Sequence, residues 1–526
     1  MPNSYKTFGL FGRLYSATTK QFLSFTCKQN CRLTIPLLVL LTTCLYCLPI
    51  QAKYGGGSGT ADDPYLILTG AQINAIGTNP DDWDKHFRLM ADIDLADFAG
   101  TSFNIIGTDW NNPFTGVFDG NGKNILNFSY SSTNRDWAGL FGYVFDPDAQ
   151  IRGLRLIGPN VVARAASNIG SIVGWLRDGT VINCHVEDGS VSGNIRVGGL
   201  VGSNDGTIAN CYATGNVLGN DEVGGLVGQN SETITNCSAS GSVSGNDNVG
   251  GLVGENWTTI TRCASSGIVV GSSYVGGLVG WNYGGDIMSC CATGSVVGHE
   301  NVGGLAGLNS DTGIIANCYS TSQVSATSSV GGLVGTNGTP YLGCTCTFGA
   351  ISNCFSAGSV TGQMIVGGLV GNNQFGPIAH SCWDSETSGR SSMCGAQDDL
   401  GTGCGYSGCK TTAQMQLAST YTSAGWDFVA ESINGTDDIW CICEGMDYPK
   451  LTWQFVTGDF DGDGKVSLVD FAIFATRWLG TDSGLWCGGT NLNNDADVDF
   501  IDLQRFTENW LTGKQWVNIA DRTLDK

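Results

Sequence analysis

Charge is scarce in this sequence: only 14% of its 526 residues are Asp, Glu, Lys or Arg, where an average globular protein carries about 25%. Histidine is rarer still, with 4 residues, and between Gly198 and Val330 there is no lysine and only one arginine, Arg262. The long Leu/Ala/Lys/Glu stretches that build helices are also few, which excludes an all-helical protein. Basic charge is outnumbered, 25 residues against 47 acidic, for a formal net charge of −22; that sign opposes phosphate backbones and anionic lipid and excludes nucleic acid as a natural partner. What is abundant is glycine, 78 residues, in no G-X-Y period, so collagen is excluded. Hydrophobic content of 41% is ordinary and excludes a long disordered chain. Glycine this dense among short apolar stretches predicts many short strands joined by turns.

The five basic residues before position 53 (Lys6, Arg13, Lys20, Lys28, Arg32) all precede an apolar run, Leu33 to Ile50, with no acidic residue among them. This is the pattern of a Sec-type signal over residues 1–52, with Ala52 suited to cleavage before Lys53. No later segment is apolar enough to span a membrane. The mature chain is therefore expected outside the cell or on its surface, in an oxidising compartment.

Self-similarity organises the rest. The word V-G-G-L-V-G starts at Val197, Val223, Val249, Val275, Val302 (with Ala306), Val330 and Val366, with a degenerate copy at Ile169 and an earlier relative, W-A-G-L-F-G, at Trp137. Two further columns keep step with it. An Asn follows two residues after the word at Asn204, Asn230, Asn256, Asn282, Asn309, Asn337 and Asn373, and a Cys recurs at Cys184, Cys211, Cys237, Cys263, Cys290, Cys318, Cys354 and Cys382. A unit of 26 residues cannot close its own core and must bury its apolar face against the next copy. Three short strands per unit, stacked on those of the neighbour, predict a right-handed parallel β-helix; eight coils at about 4.8 Å would make a rod of roughly 40 Å. Gly pairs would supply corners with positive φ, the Asn column a ladder of side-chain amides, and the Cys column an inward stack of reduced, structural thiols. Parallel Cβ vectors of in-register neighbours suit disulfides poorly.

Words of the form G-G-L-V-G at this spacing resemble the GLUG repeats of bacterial surface proteins, adhesins and the non-catalytic part of secreted immunoglobulin-cleaving metallopeptidases, over residues 137–385. The resemblance implies an extracellular scaffold. The peptidase chemistry does not carry over, because His299-Glu300 has Gly303 where H-E-x-x-H needs its second His, and the four histidines (His86, His185, His299, His380) are scattered.

Residues 53–136 carry D-G-N-G turns and read as an N-terminal cap with irregular first coils. Asp92, Asp94 and Asp119 fit turn and solvent roles there better than a metal or glycosidase site. Residues 386–456 lose the word and carry Cys394, Cys404, Cys409, Cys441 and Cys443, the signature of a C-terminal cap stapled by local disulfides. Removing the four cysteines of the leader from 21 leaves an odd number, so at least one thiol stays unpaired in a monomer.

The sharpest motif lies over residues 457–514, ahead of a tail at 515–526. Asp459, Asp461, Asp463 and Asp470 stand at positions 1, 3, 5 and 12 of a loop with Gly464 at position 6 and the carbonyl of Lys465 at position 7, the oxygen spacing of an EF-hand-type calcium loop. The pattern returns 32 residues on with Asn491, Asn493, Asp495, Asp497 at position 7, and Asp502. Asn491 removes a charge and Ala496 occupies the turn that prefers Gly, so the second site is expected to be the weaker. Each loop leads into an amphipathic helix, Phe471 to Leu479 and Leu503 to Leu511, with Trp478 and Trp510 at the same offset. Two loops, each followed by one helix, resemble a type I dockerin module. That resemblance implies a small all-α domain, two calcium ions as cofactors, and a cohesin-like or other surface protein as partner. Loop positions 10 and 11, which help dockerins choose a partner, are the apolar pairs Leu468-Val469 and Phe500-Ile501.

The expected function is a secreted non-catalytic β-helical scaffold, adhesin-like, attached through the calcium-dependent module; no catalytic residue is assigned. The alternative is a carbohydrate-active protein carrying the same module. A hydrolase or lyase needs acids, or acids with Lys or Arg, clustered on one face, and the regular coils offer few, which leaves residues 80–120 as the remaining place for one. For polysaccharide binding without turnover, Trp257, Trp281 and Tyr283 are the candidate stacking platforms.

Overall fold

A computed structural model describes residues 53–338, 349–397, 402–404, 408–429, 433–455, 466–478, 498–508 and 510; the proposed leader lies outside them. From Tyr65 to Lys410 the chain winds as a β-solenoid. Each regular coil contributes five short strands, not three: Thr180–Ile182, His185–Glu187, Ser190–Ser192, Ile195–Gly198 and Val201–Asn204 form one such set. Stacking in parallel, they make five sheets of 12, 12, 9, 8 and 10 strands, taken in the order the chain visits them. The strands run only two to five residues, and the turns between the second, third and fourth carry ordinary Ser, Asn and Asp as well as Gly, so the sequence pattern shows three stretches where the structure has five strands.

Register is one residue to its equivalent throughout: Val181 to Ile208, Val191 to Val217, Val197 to Val223 and Val201 to Val227. The interior is a single apolar column system of Val, Leu, Ile and Cys, almost all fully buried. Strand-forming β-branched residues supply it because a parallel sheet covered on its inner face selects them.

The V-G-G-L-V-G word forms the corner between the fourth and fifth strands, and its glycines are there for space rather than for φ. A Cβ on Gly225 would lie 2.2 Å from the Gly251 carbonyl oxygen of the next coil, and one on Gly224 would lie 2.0 Å from the Val227 carbonyl oxygen. Left-handed backbone falls instead on two columns of mostly non-glycine residues. One immediately precedes the cysteines (Asn183, Asn210, Asn236, Arg262), and the other immediately precedes the word (Arg196, Glu222, Asn248, Tyr274).

The Asn column does form the expected ladder. Asn204 Nδ2 donates to Asn230 Oδ1 at 2.7 Å, and the chain of amides continues through Asn256, Asn282, Asn309 and Asn337 to Asn373 at 2.7–3.0 Å, all fully buried. In the Cys column the backbone N–H of Cys211 donates to Cys237 Sγ at 3.4 Å and the Cys211 thiol to the Ala209 carbonyl at 3.2 Å. These thiols are free and buried, and burial pushes the Cys184 thiol well above its usual range. The column runs from Cys184 to Cys354 and then ends on Ser381, whose hydroxyl accepts the Cys354 N–H at 3.2 Å. Cys382 is not its eighth member: it pairs with Phe355, one column over. The Ser381-Cys382 dipeptide puts the thiol one residue late.

At the N-terminal end, strands Tyr65–Ile67, His86–Leu89 and Val117–Asp119 extend the first sheet. The helix Gly70–Ile76, capped by Thr69, buries Ile73 and Ile76 there. At the other end, Cys394–Gln397 and Cys409–Lys410 add last strands to the fifth and second sheets, stapled by the Cys394–Cys404 disulfide. Beyond residue 410 the chain does not stay on the end of the stack. It folds back along the flank of the second sheet, where Trp426, Trp440 and Tyr421 cover Tyr319, Phe355 and Cys382, and the Trp453 indole donates to the Ser289 carbonyl at 2.7 Å. The large apolar side chains that the second sheet shows outward in its last coils are what this segment buries.

Candidate functional sites: the helical pair and an aromatic face

Of the ten residues assigned to calcium, Asp470 and Asp502 are described; Asp459, Asp461, Asp463, Lys465, Asn491, Asn493, Asp495 and Asp497 lie outside the described residues. The helices span Leu468–Arg477 and Phe500–Glu508, beginning three residues earlier than the amphipathic pattern indicates. The reason is local capping. Asp470 Oδ2 accepts the Ser467 N–H at 2.7 Å while Ser467 Oγ accepts the Val469 N–H at 3.1 Å, and Asp502 and Asp499 repeat the arrangement at 2.8 and 2.8 Å. Such reciprocal caps pull the first apolar residues into the helix. Both aspartates are fully buried, a position a carboxylate holds only when its charge is met by donors or a cation.

The two helices meet through their rings. Phe474 stacks on Phe506 at 5.5 Å, Trp478 meets Phe500 at 5.1 Å and Phe471 meets Trp510 at 6.2 Å. The end of one helix thus lies beside the start of the other, an antiparallel pair. Leu468, Val469, Phe500 and Ile501 remain exposed.

A second site emerges on the outer side of the fifth sheet. The residues just before the ladder Asn, with those in register before Val144 and Leu176, form one column, Tyr143, Trp175, Ser203, Gln229, Glu255 and Trp281, outside the interior cluster. Here the rings gather in two groups. Trp137, Tyr143 and Trp175 have centroids 5.3–6.3 Å apart, with Phe145 6.3 Å from Tyr143. Further along, Trp281 stacks on Tyr274 at 5.9 Å and meets Tyr283 at 5.3 Å, and Tyr283 meets Trp257 at 4.6 Å.

Both key indoles are held from the next coil: Trp175 Nε1 donates to Asp205 at 3.0 Å and Trp281 Nε1 to Ser310 Oγ at 2.7 Å. Between the two groups stand the ion pairs Arg177–Asp205, 3.1 Å, and Arg196–Glu222, 2.9 Å. Glu255, only 5% exposed, accepts from Gln229 Nε2 at 3.3 Å. Burial first, and then the charge of Glu222, push its carboxyl up to about 6.

The other residues singled out by sequence have structural partners. Asp92 accepts the Asn124 N–H, Asp94 accepts from Asn127 and Ala96, and Asp119 pairs with Arg88 and Arg152. His185 stacks on Tyr212, and burial with the nearby Arg155 pushes it down to about 4. Among the described residues no three His, Cys, Asp or Glu gather as a metal cluster.

The family described as the GLUG motif matches residues 193–218, 219–244, 271–297 and 298–325. The chain carries GLUG repeats. The coil at 245–270, between two matched pairs, keeps the same register, Val223 to Val249 to Val275. Among known proteins the chain is similar to halomucin of Haloquadratum walsbyi, 33% identical over 158 residues, 28% of this chain and 2% of that one. It is also similar to a protein of Evansella cellulosilytica provisionally described as a Gly-rich membrane protein, 35% identical over 142 residues, 26% of this chain and 16% of that one. The match thus spans a small part of either relative. Of solved structures, a crystal structure described as a candidate immunoglobulin A1 protease from Bacteroides ovatus aligns with 76% of this chain and 96% of its own, at 20% identity and a TM-score of 0.34.

Sequence reasoning found Trp257, Trp281 and Tyr283 but missed Trp137, Tyr143, Trp175, Tyr274, Arg196, Glu222 and Glu255 as members of one face. The signal was available: writing the coils in register on the Asn column and reading the flanking positions lines them up.

Proposed function

We propose that this GLUG-repeat protein is an exported surface scaffold, non-catalytic along its regular coils, attached to a partner protein through a calcium-dependent C-terminal module of the dockerin kind. The observation that carries the attachment is the duplicated helix start. Asp470 and Asp502, 32 residues apart, are both buried, both cap their helix in the same way, and both occupy the last ligand position of an oxygen-rich loop. Asp459, Asp461, Asp463, the Lys465 carbonyl and Asp470 would hold one calcium; Asn491, Asn493, Asp495, the Asp497 carbonyl and Asp502 would hold the second, more weakly. The exposed apolar pairs Leu468-Val469 and Phe500-Ile501 give such a module a surface to offer a partner. Halomucin and the membrane-protein relative support a place at the cell surface, as does the leader pattern.

A calorimetric calcium titration of the full mature chain tests the reading, followed by a pull-down from cell-surface extract with and without chelator. Two binding events, the weaker one abolished in Asp502→Ala, and a chelator-sensitive partner are expected. Absence of any calcium heat would overturn the module assignment.

A further inference from the structure

The aromatic face has the shape of a site for an extended chain molecule. Trp175 and Trp281 stand in one column four coils apart, about 19 Å at the rung spacing of a β-stack. Each is half-buried and fixed by a hydrogen bond from its indole N–H to the following coil, so each presents a ring of set orientation at little cost in side-chain entropy. Trp257, 44% exposed, and Phe145, 46% exposed, flank them. On the turn that precedes Tyr143, Trp110 stands 74% exposed.

Between the two groups of rings the surface changes character. Arg177, Asp205, Arg196 and Glu222 supply donors and acceptors in two ion pairs, so that the strip is close to neutral. Among the described residues the third sheet shows no comparable grouping of rings: its exposed large apolar side chains are the aliphatic Leu218, Ile268, Val270 and Val297. Rings held apart by a bipolar strip match a ligand with flat C–H faces and many hydroxyl groups, each able to donate to a carboxylate and accept from a guanidinium. A polyanion is disfavoured by the net charge of −22.

We propose that the outer face of the fifth sheet, from Tyr143 to Tyr283, binds a neutral hexopyranose polysaccharide laid along the stack, with Trp175 and Trp281 as the two stacking platforms. It rests on the reading of the coils as a displayed scaffold and names what that scaffold holds. The coil-to-coil rise is close to the length of one pyranose in an extended chain, so successive coils address successive sugars.

The test is affinity gel electrophoresis of the full mature chain in gels containing hydroxyethylcellulose, galactomannan, mixed-linkage β-glucan or polygalacturonate, each run with calcium and with chelator. Retardation by a neutral polymer is expected, unchanged by chelator. It should weaken roughly tenfold in Trp175→Ala and in Trp281→Ala, since one lost stacking contact is worth about that much, less in Trp281→Phe, and not at all in Leu218→Ala. Thermal unfolding of each variant verifies the fold, and Trp281→Phe keeps the test decisive should an alanine variant unfold. Retardation by none of the polymers, by polygalacturonate alone, only with calcium present, or as strong in both tryptophan-to-alanine variants as in the parent would overturn the proposal. A failed attachment reading leaves a different trace: no calcium heat, with neutral-polymer retardation intact.

Discussion

The fifth strands of the solenoid carry two very different columns one residue apart. Seven ladder positions in succession are Asn, from Asn204 to Asn373, while the positions just before them from Tyr143 onward are Tyr, Trp, Ser, Gln, Glu, Trp, Leu, Thr and Asn. Backbone geometry is shared, so it cannot be the source of the difference. Each ladder amide is buried and must find its donor and acceptor in the coils above and below, and only another Asn at the same height returns the same bond. The other column has no such repeating bond to return: half-buried Trp175, Gln229 and Trp281 alternate in it with buried Tyr143, Ser203, Glu255, Leu308 and Thr336. The uniformity of the ladder therefore reports the bond that each coil must return to the next.

Four experiments would break or sharpen that contrast. The largest effect is expected at the corner glycines: Gly225→Val places a Cβ 2.2 Å from the Gly251 carbonyl oxygen, backbone that cannot give way without shifting a coil. Urea unfolding should register a loss of at least about 3 kcal/mol. Next comes the ladder. Asn256→Ala strands the Asn230 amide donor and the Asn282 carbonyl acceptor inside the stack, and about 2–3 kcal/mol should be lost in the same measurement. A loss under about 0.5 kcal/mol would show the ladder to be incidental.

Glu255 sits on the outer column but is buried, and pH gives it a signed signature. Its folded pKa, about 6, lies above the ordinary 4.5, so the folded state holds the proton more tightly than the unfolded one. Stability then falls as pH rises from about 4.5 to 6 and stays flat beyond, by roughly 2 kcal/mol. Glu255→Gln should remove that fall and be the more stable protein at pH 7. Comparing the variant with the parent at each pH cancels His185, which titrates over an overlapping range in the opposite sense. The smallest change is expected from Trp257→Ala, a half-exposed ring whose loss removes its contact with Tyr283, about 1 kcal/mol or less in thermal unfolding.

Much of the architecture was legible before any coordinates. The 26-residue step of the Val-Gly-Gly word and the Asn column required a stack, and the amide ladder followed from the spacing of those asparagines alone. Five strands per coil were not legible, because two-residue strands leave no alternation to read. The left-handed column of Arg196, Glu222, Asn248 and Tyr274 was hidden for another reason. No common side chain marks it, since the in-register stack on either side supplies the energy that holds a non-glycine residue there. Cys382 was misread by one position because a Cys in the last coil looks the same whether it faces the core or the flanking segment.

Sequence by itself determined that this chain is a stack of like coils with an amide spine, and it marked the duplicated acidic loops at the C-terminal end, because periodicity and spacing are one-dimensional properties. Tertiary structure alone decided which rings meet on this face, since Trp137 joins Trp175, and Trp257 joins Trp281 through Tyr283, only when successive coils are laid one rung apart. It also decided that the segment after residue 410 covers the flank rather than the end, because Tyr319 and Phe355, which face outward from the second sheet in the last coils, are buried by that segment.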